Sequence, residues 1–429
     1  METEDEFAVV AIGSEQRVAW PRIAAVSAMV AFSLPTFITG LEISEGLSPT
    51  SALGALLLGS VIIFVVGAAM GVIGALTHMS SYLLVRIAFG DRGAGVVNLA
   101  FAISLLGWFG VNINLFAEAA SGLAMSVFGG SLPSLVWIAL ASAGMTITTL
   151  IGFSAINRLS VLLVPVLAIV TGLLIFQSAE IFSIAEFFAQ DSGETLSFGD
   201  GVSAVVGAII IGAIILPDIT RFARHWSGAV YTAFFSYIVV QLIVMGAAAY
   251  AGAATNQHDV IDLMVDIGLG VGAFVIVIAG SWVLNSLNLY SALLGIKATF
   301  PNLPTQALTL FLGGVGVIAG ALNLLENFIT FLFYLSVIFI PVAGVLLADF
   351  FVIRRDSYKI DTLTENRAFN PKAFLSWVIG AVIAILMSNS ILPSITGMAA
   401  VDAAAMSGFL YTFFAWSERE RRVVKGTVQ

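Results

Sequence analysis

The apolar residues of this chain come in long blocks divided by short polar stretches. We read twelve blocks, at about 22–41, 51–76, 95–122, 133–151, 159–178, 202–217, 228–252, 267–292, 306–322, 327–351, 373–390 and 398–416. Most match the roughly 20 residues that an α-helix needs to cross a bilayer. The pattern predicts an all-α integral membrane protein with twelve transmembrane helices.

The charges test that count. Cytoplasmic loops of membrane proteins collect Lys and Arg. With both termini placed inside, all 17 Lys and Arg fall in inner segments, from Arg17 and Arg22 to Arg419 and Lys425. The outer loops carry acids instead: Glu42, Glu45, Glu180, Glu186, Asp191, Asp259 and Glu326. A wrong count would scramble this alternation. We therefore expect a multi-pass protein of the cytoplasmic (inner) membrane with both termini cytoplasmic.

Composition narrows the function. Of 429 residues, 59% are hydrophobic and 10% charged, against about 45–50% and about 25% in a soluble domain. This excludes a soluble enzyme, a nucleic-acid binder and a disordered chain. There is no cysteine, which removes thiol catalysis, thiolate metal sites and disulfides. His78, His225 and His258 lack metal-ligand spacing, so no metal and no cofactor is expected. The acidic start, Met1 to Gln16, lacks the basic-then-apolar order of a signal peptide, and the first block should stay as a membrane helix. No Walker-type phosphate loop is present, and the longest loops, about 179–201 and 352–372, are too short for a nucleotide-binding domain. A secondary transporter is the class that remains. No obligate protein partner is evident, and the partners expected are a small substrate and the lipid bilayer.

Transporter sites lie near the midplane, where helices are interrupted and backbone groups are freed. In the first span, Pro35 sits mid-helix among Ser33, Thr36 and Thr39, and proline removes a helical hydrogen bond. In the sixth, Gly207 and Gly212 precede Pro217 near the inner end. Gly and Pro are common in membrane helices, but breaks five helices apart are what an inverted five-plus-five repeat pairs. The third and eighth spans would pair too, and both carry Trp before Asn: Trp108 with Asn112, and Trp282 with Asn285.

Polar residues inside apolar blocks are the functional candidates, because an unpaired polar group in lipid is expensive. Trp108 and Asn112 are four apart and share a helical face. An indole that stacks and an amide that bonds a ring edge suit a flat heterocycle; packing and interhelical bonding would use the same residues. Asn285 and Asn288 share a face of the eighth span, beside Ser286 and Ser291. Glu118 is either a proton carrier, since burial raises a carboxyl pKa, or a residue at the outer water interface. Asp218, three residues before Arg221, reads as a structural ion pair or helix-end contact and as a second coupling-ion candidate. Asp349 reads as structural in the same way.

Six stretches then resemble the nucleobase–cation symporters, the cytosine/purine permease family. They are Thr77-His78 with Arg86-Ile-Ala-Phe-Gly90; Gly107-Trp-Phe-Gly-Val111; Asp218-Ile-Thr-Arg-Phe222; Asn288-Leu-Tyr-Ser291; Pro341-Val-Ala-Gly-Val-Leu-Leu-Ala-Asp349; and Ala368-Phe-Asn370. The resemblance implies a LeuT-like five-plus-five inverted repeat with two extra C-terminal helices. The transport core then covers 22–352, with repeats of about 22–178 and 202–352. Around it lie a tail at 1–21, a loop at 353–372, a helix pair at 373–416 and a tail at 417–429. The resemblance places the family's stacking Trp on Trp108, its neighbouring polar residue on Asn112 and its helix-8 amide on Asn288. Three positions depart. Leu105 stands where bacterial cytosine permeases have Gln. Ile209 stands where the family has a second aromatic wall. Val283 and Leu284 stand where sodium-coupled members place a hydroxyl pair, and a hard cation wants oxygen.

The reading is a secondary active importer of a nucleobase-like heterocycle such as cytosine or a purine, coupled to protons rather than sodium, with Trp108, Asn112, Asn288, Asn285, Ser33 and Ile209 as its site. The alternatives are a sodium-coupled member of the same family, a LeuT-fold transporter of another solute such as an amino acid, or a non-transporting scaffold or channel-like protein. We find no nucleophile–base set, and an enzyme is not expected.

Overall fold

The computed structural model describes residues 11–190, 195–257, 260–322, 328–363, 366–389 and 391–426. Asp191, His258, Asp259, Glu326 and the chain ends at 1–10 and 427–429 lie outside these, as do the side chains of the basic residues beyond 417. Each predicted apolar block falls on a helix.

The first block is broken in two, for a reason visible in its residues. Helix α1 (Trp20–Ala31) stops and α2 (Leu34–Gly46) starts at a bend of 52°. Pro35 has no N–H to continue the ladder, and Ser33 is extended (φ −83°, ψ 153°). Local hydroxyls take up the freed carbonyls. Ser33 Oγ donates to Val30 O at 2.7 Å, Thr36 Oγ1 to Val30 O at 3.2 Å, and Thr39 Oγ1 to Pro35 O at 2.8 Å.

Then come α3 (Pro49–Thr77), α4 (Ser81–Phe89), α5 (Asp91–Phe128), α6 (Ser134–Ile151) and α7 (Phe153–Ile181). Two of these correct the sequence-based expectation. The segment after the second span was expected to be a simple inner loop, yet α4 is a helix whose residues are almost all buried. The fourth and fifth spans were expected to be separated by a loop to residue 159. Only Gly152 separates their helices, in a positive-φ conformation (96°) that glycine adopts without a Cβ penalty.

The second half continues with α8 (Ile184–Ala189), α9 (Phe198–Ile214), α10 (Pro217–Thr220), α11 (Trp226–Ala233), α12 (Gln241–Thr255), α13 (Val260–Asp266), α14 (Gly270–Val275) and α15 (Ser281–Thr299). Helices α11 and α12 join through a π-helical stretch, Phe234–Val240, and α14 and α15 through another, Ile276–Gly280. Helices α16 (Thr305–Ala321), α17 (Phe328–Ala348), α18 (Pro371–Ser388) and α19 (Ala399–Gly426) complete the chain. Among the described residues, nine helical stretches are long and apolar enough to cross a bilayer, and the bent α1–α2 pair makes a tenth. Helix α16, at 17 residues, falls just short.

The core sits where helices of the two halves of the chain meet and where helices of the second half pack on one another. Helix α5 packs along α15, α9 lies between α3 and α17, and α19 lies along α17. On the outer flank, Leu162, Ile169 and Phe176 of α7 are exposed, as a lipid-facing stripe requires. The N-terminal segment is not a free tail: Val18 N donates to Phe222 O at 2.8 Å and Ile12 N to His78 O at 3.0 Å.

Candidate functional site

A cavity of about 50 Å³ lies at the break between α1 and α2. Counting roughly 10–15 Å³ for a water, it is a slot with room for a few. Ser33 and Pro35 line it from the break, with Ser27 and Val30 of α1. Trp108 and Leu105 come from α5, Ala208, Ile209 and Gly212 from α9, and Leu284, Leu287, Asn288 and Ser291 from α15. No lining residue is charged. The walls are thus apolar with a few hydroxyls and one amide, the usual make-up of a small-molecule pocket.

Four of the six expected substrate residues meet here: Trp108, Asn288, Ser33 and Ile209. The Trp108 ring is 7% exposed and sits edge-on to Phe331 of α17, centroids 5.4 Å apart at 68°. The Asn288 amide donates to Asn285 Oδ1 at 3.5 Å.

The other two stand behind the wall. Asn112 does not line the cavity. Its Nδ2 donates to the Trp108 carbonyl one turn back, at 2.8 Å, and its Oδ1 is buried without a partner among the described residues. Sharing a face with Trp108 does not carry the short amide as far as the long indole. Asn285 donates to Phe109 O at 3.0 Å, which ties α15 to α5 and sets the base on which Asn288 rests. The matched Trp and Asn of the eighth span are not a second site, since Trp282 Nε1 donates to Thr148 Oγ1 at 3.1 Å on α6.

The two coupling-ion candidates part company. Glu118 is exposed, ten residues beyond Trp108 on α5 and outside the cavity. Asp218 is 2% exposed. Its Oδ1 accepts from Ser81 N at 2.8 Å and from Ser81 Oγ at 2.6 Å. It is a helix-end contact, as one sequence reading had it, made with α4. A carboxylate there also complements the positive end of the helix dipole. Nearby, His78 closes α3 in a left-handed conformation (φ 55°). Its Nδ1 lies 2.9 Å from the Arg221 carbonyl. Burial pushes its imidazole below the usual range, against the pull of that carbonyl.

Opposite the break, Gly280 comes so near that a Cβ built on it would lie 3.1 Å from the Phe32 carbonyl. One turn on, Val283 and Leu284 are buried and apolar, and neither offers an oxygen to a hard cation. Ser286, the nearby hydroxyl, is turned away to the Trp282 carbonyl at 2.8 Å. Ser281 Oγ is buried without a partner among the described residues.

Sequence reasoning missed Tyr237. It lies on the π-helical stretch of the seventh span, lines the cavity and hydrogen-bonds Ser27. A π-bulge re-aims one side chain, and nothing in the local residue pattern marks it. Tyr237 gives the slot a second aromatic wall residue, although Ile209 stands where a second aromatic was expected.

Comparison with known proteins bears on the family and the fold. The family described as "Permease for cytosine/purines, uracil, thiamine, allantoin" is matched over residues 13–414. The cytosine permease of Escherichia coli (strain K12) is 29% identical over 373 residues, 86% of this chain and 85% of that protein. The allantoin permease of Bacillus subtilis (strain 168) is 22% identical over 88% of this chain and 86% of its own length. A solved nucleobase-cation-symport-1 family transporter, closed with bromovinylhydantoin bound, superposes with a TM-score of 0.80. It is 19% identical and covers 94% of both chains, so the LeuT-like fold is shared. The chain therefore belongs to the family of permeases for cytosine/purines, uracil, thiamine and allantoin, and is a multi-pass membrane transporter rather than an enzyme.

Proposed function

We propose that the chain imports a nucleobase-like heterocycle such as cytosine or a purine across the cytoplasmic membrane, driven by protons. The observation that carries this reading is the uncharged slot with an indole on one wall and an amide on another. A flat ring stacks on Trp108 and bonds Asn288, with Ser33 and Pro35 at the broken backbone closing the end. Asn285 orients Asn288, and Asn112 holds a spare acceptor behind the wall. An amino-acid substrate would bring a carboxylate, and the slot offers it no cationic side chain.

Twelve spans, both termini inside, are the arrangement we favour, with α1–α2 counted as one span and α16 and α19 as two more. The core is 22–352 in two inverted repeats of about 22–178 and 202–352, followed by the helix pair at 373–416. Two features support the repeat. The breaks at Phe32–Ser33 and Ile215–Leu216 are five spans apart, and the short helices α4 and α13 follow the second and seventh spans. Protons are preferred to sodium because Val283 and Leu284 supply no ligand beside the break.

The test is uptake into proteoliposomes of cytosine, uracil, adenine, hypoxanthine, allantoin, a hydantoin and a hydroxymethyl pyrimidine, under a proton or a sodium gradient. Saturable uptake of one of these driven by protons is expected. Uptake that requires sodium and ignores protons refutes the coupling, and no uptake across the panel refutes the substrate class. Losing one buried hydrogen-bond partner costs about 1–3 kcal/mol. Asn288→Ala should therefore weaken binding by about ten-fold or more, measured by titration of the purified protein. Unchanged affinity would remove Asn288 from the site.

A further inference from the structure

We propose that Asp218 is the proton carrier of the transport cycle, connected to the substrate cavity through Tyr82 and Ser291 and opened to the cytoplasm when α4 and α10 separate. The inference rests on the proton-coupled reading above and assigns it a site.

The argument begins with two buried atoms. Asp218 uses Oδ1 for both Ser81 donors, while its Oδ2 is buried with no partner among the described residues. A helix-capping carboxylate needs only the first oxygen. A dry, unpartnered oxygen is costly as part of an anion, and a proton relieves that cost. The second atom is the Tyr82 hydroxyl, on the next residue of α4. It is buried without a well-formed hydrogen bond. The groups that bear on it electrostatically are the Asp218 carboxyl, Arg221 and Tyr290, with Ser291 as the hydroxyl beside it. Ser291 is a wall residue of the cavity. The Tyr82 hydroxyl thus meets the cavity wall at Ser291 and lies within electrostatic reach of the carboxyl, with no hydrogen bond in this conformation closing the last step.

The charged and titratable surroundings explain why both states are accessible. From its own segment, Arg221 lies near, its Nε donating to the Asp218 carbonyl at 3.1 Å and its Nη2 to Tyr290 Oη at 3.4 Å. From α15 comes Tyr290, from α4 Ser81 and Tyr82, and from the end of α3 His78, which meets the Arg221 carbonyl. The two Ser81 donors hold one carboxyl oxygen, while the other is dry and without a partner among the described residues. With α4 and α10 in contact, as here, a proton arriving through the cavity adds to Oδ2 and gives the neutral acid. When the two helices part, water reaches the carboxyl, which then behaves as an ordinary acid in water and yields that one proton to the cytoplasm. The carboxylate is regenerated, and one proton has crossed.

The test uses the purified, full-length protein and needs no substrate. Infrared difference spectra between mildly acidic and neutral pH should show the C=O stretch of a buried carboxylic acid. That band should vanish in Asp218→Asn, which keeps an oxygen for Ser81, and should shift in Tyr82→Phe. In proteoliposomes, proton-driven accumulation should fall by roughly 5- to 150-fold in Asp218→Asn, the span of typical coupling free energies. Should Asp218→Asn fail to fold, Tyr82→Phe decides: an unshifted band overturns the proposal. A wild-type protein whose uptake ignores a proton gradient overturns the coupling reading and this inference with it. A proton-driven wild type whose band and accumulation survive in Asp218→Asn overturns this inference alone.

Discussion

Trp108→Ala should reduce substrate affinity by roughly 5- to 150-fold, since stacking of one base on an aromatic ring is worth about 1–3 kcal/mol by alanine substitution and about 1.4 kcal/mol is ten-fold. Trp108 is the largest aromatic surface in the slot, and its ring is held on edge by Phe331. Truncation therefore removes the stacking face and also leaves a gap beside Phe331. Trp108→Phe keeps a smaller face and should recover part of the loss. Calorimetric titration with the panel compounds measures both, because the mutation removes the intrinsic fluorophore that would otherwise report binding. If Trp108→Ala binds as tightly as wild type, the ring does not stack on this residue and the site lies elsewhere.

Much of this was legible in the sequence, and the legible part has a common cause. Span positions follow from runs of apolar residues, and the break at Pro35 follows from a missing N–H. Both are local facts. Trp108 and Asn288 were found because polar and amphipathic groups inside apolar helices are few. The missed features depend on contacts between distant segments. Helix α4 was hidden because its burial comes from α5, α15, α17 and α18. The Ser81–Asp218 contact spans 137 positions, and no local pattern shows it. Asn112 and Tyr237 show the same limit at the site. Helical spacing names a face, but the reach of an amide or a π-bulge decides which atoms arrive at the cavity.

Helix α4 also explains the second large effect we expect, which is on stability. Asp349, at the C-terminal end of α17, is fully buried and accepts from Arg354 Nε at 2.8 Å, Tyr358 Oη at 2.7 Å and Tyr411 Oη at 2.6 Å. Arg354 passes the contact on, donating through Nη2 to the Ile87 carbonyl at 2.6 Å. Asn370 Nδ2 reaches the Ala88 carbonyl at 2.6 Å, and Asn366 Nδ2 reaches that of Arg86 at 2.6 Å. The last carbonyls of a helix have no partners of their own, and in α4 they are satisfied from the segment after α17. Asp349→Ala would strand a largely buried guanidinium and two tyrosine hydroxyls. Breaking a buried ion pair from one side costs about 3–5 kcal/mol. The thermal unfolding midpoint of the purified protein should fall by several degrees. Tyr411→Phe, which removes one donor and strands no charge, should cost only about 0.5–1.5 kcal/mol. Equal losses in the two variants would mean that the ion pair does not anchor α4. The anchoring has a mechanical sense. One end of α4 is bound to the segment beside the cavity through Asp218 and the other to the segment after α17 through Arg354 and Asn370. A motion that opens the cavity inward can therefore release the Asp218 end while the Asp349 network keeps the helix in place.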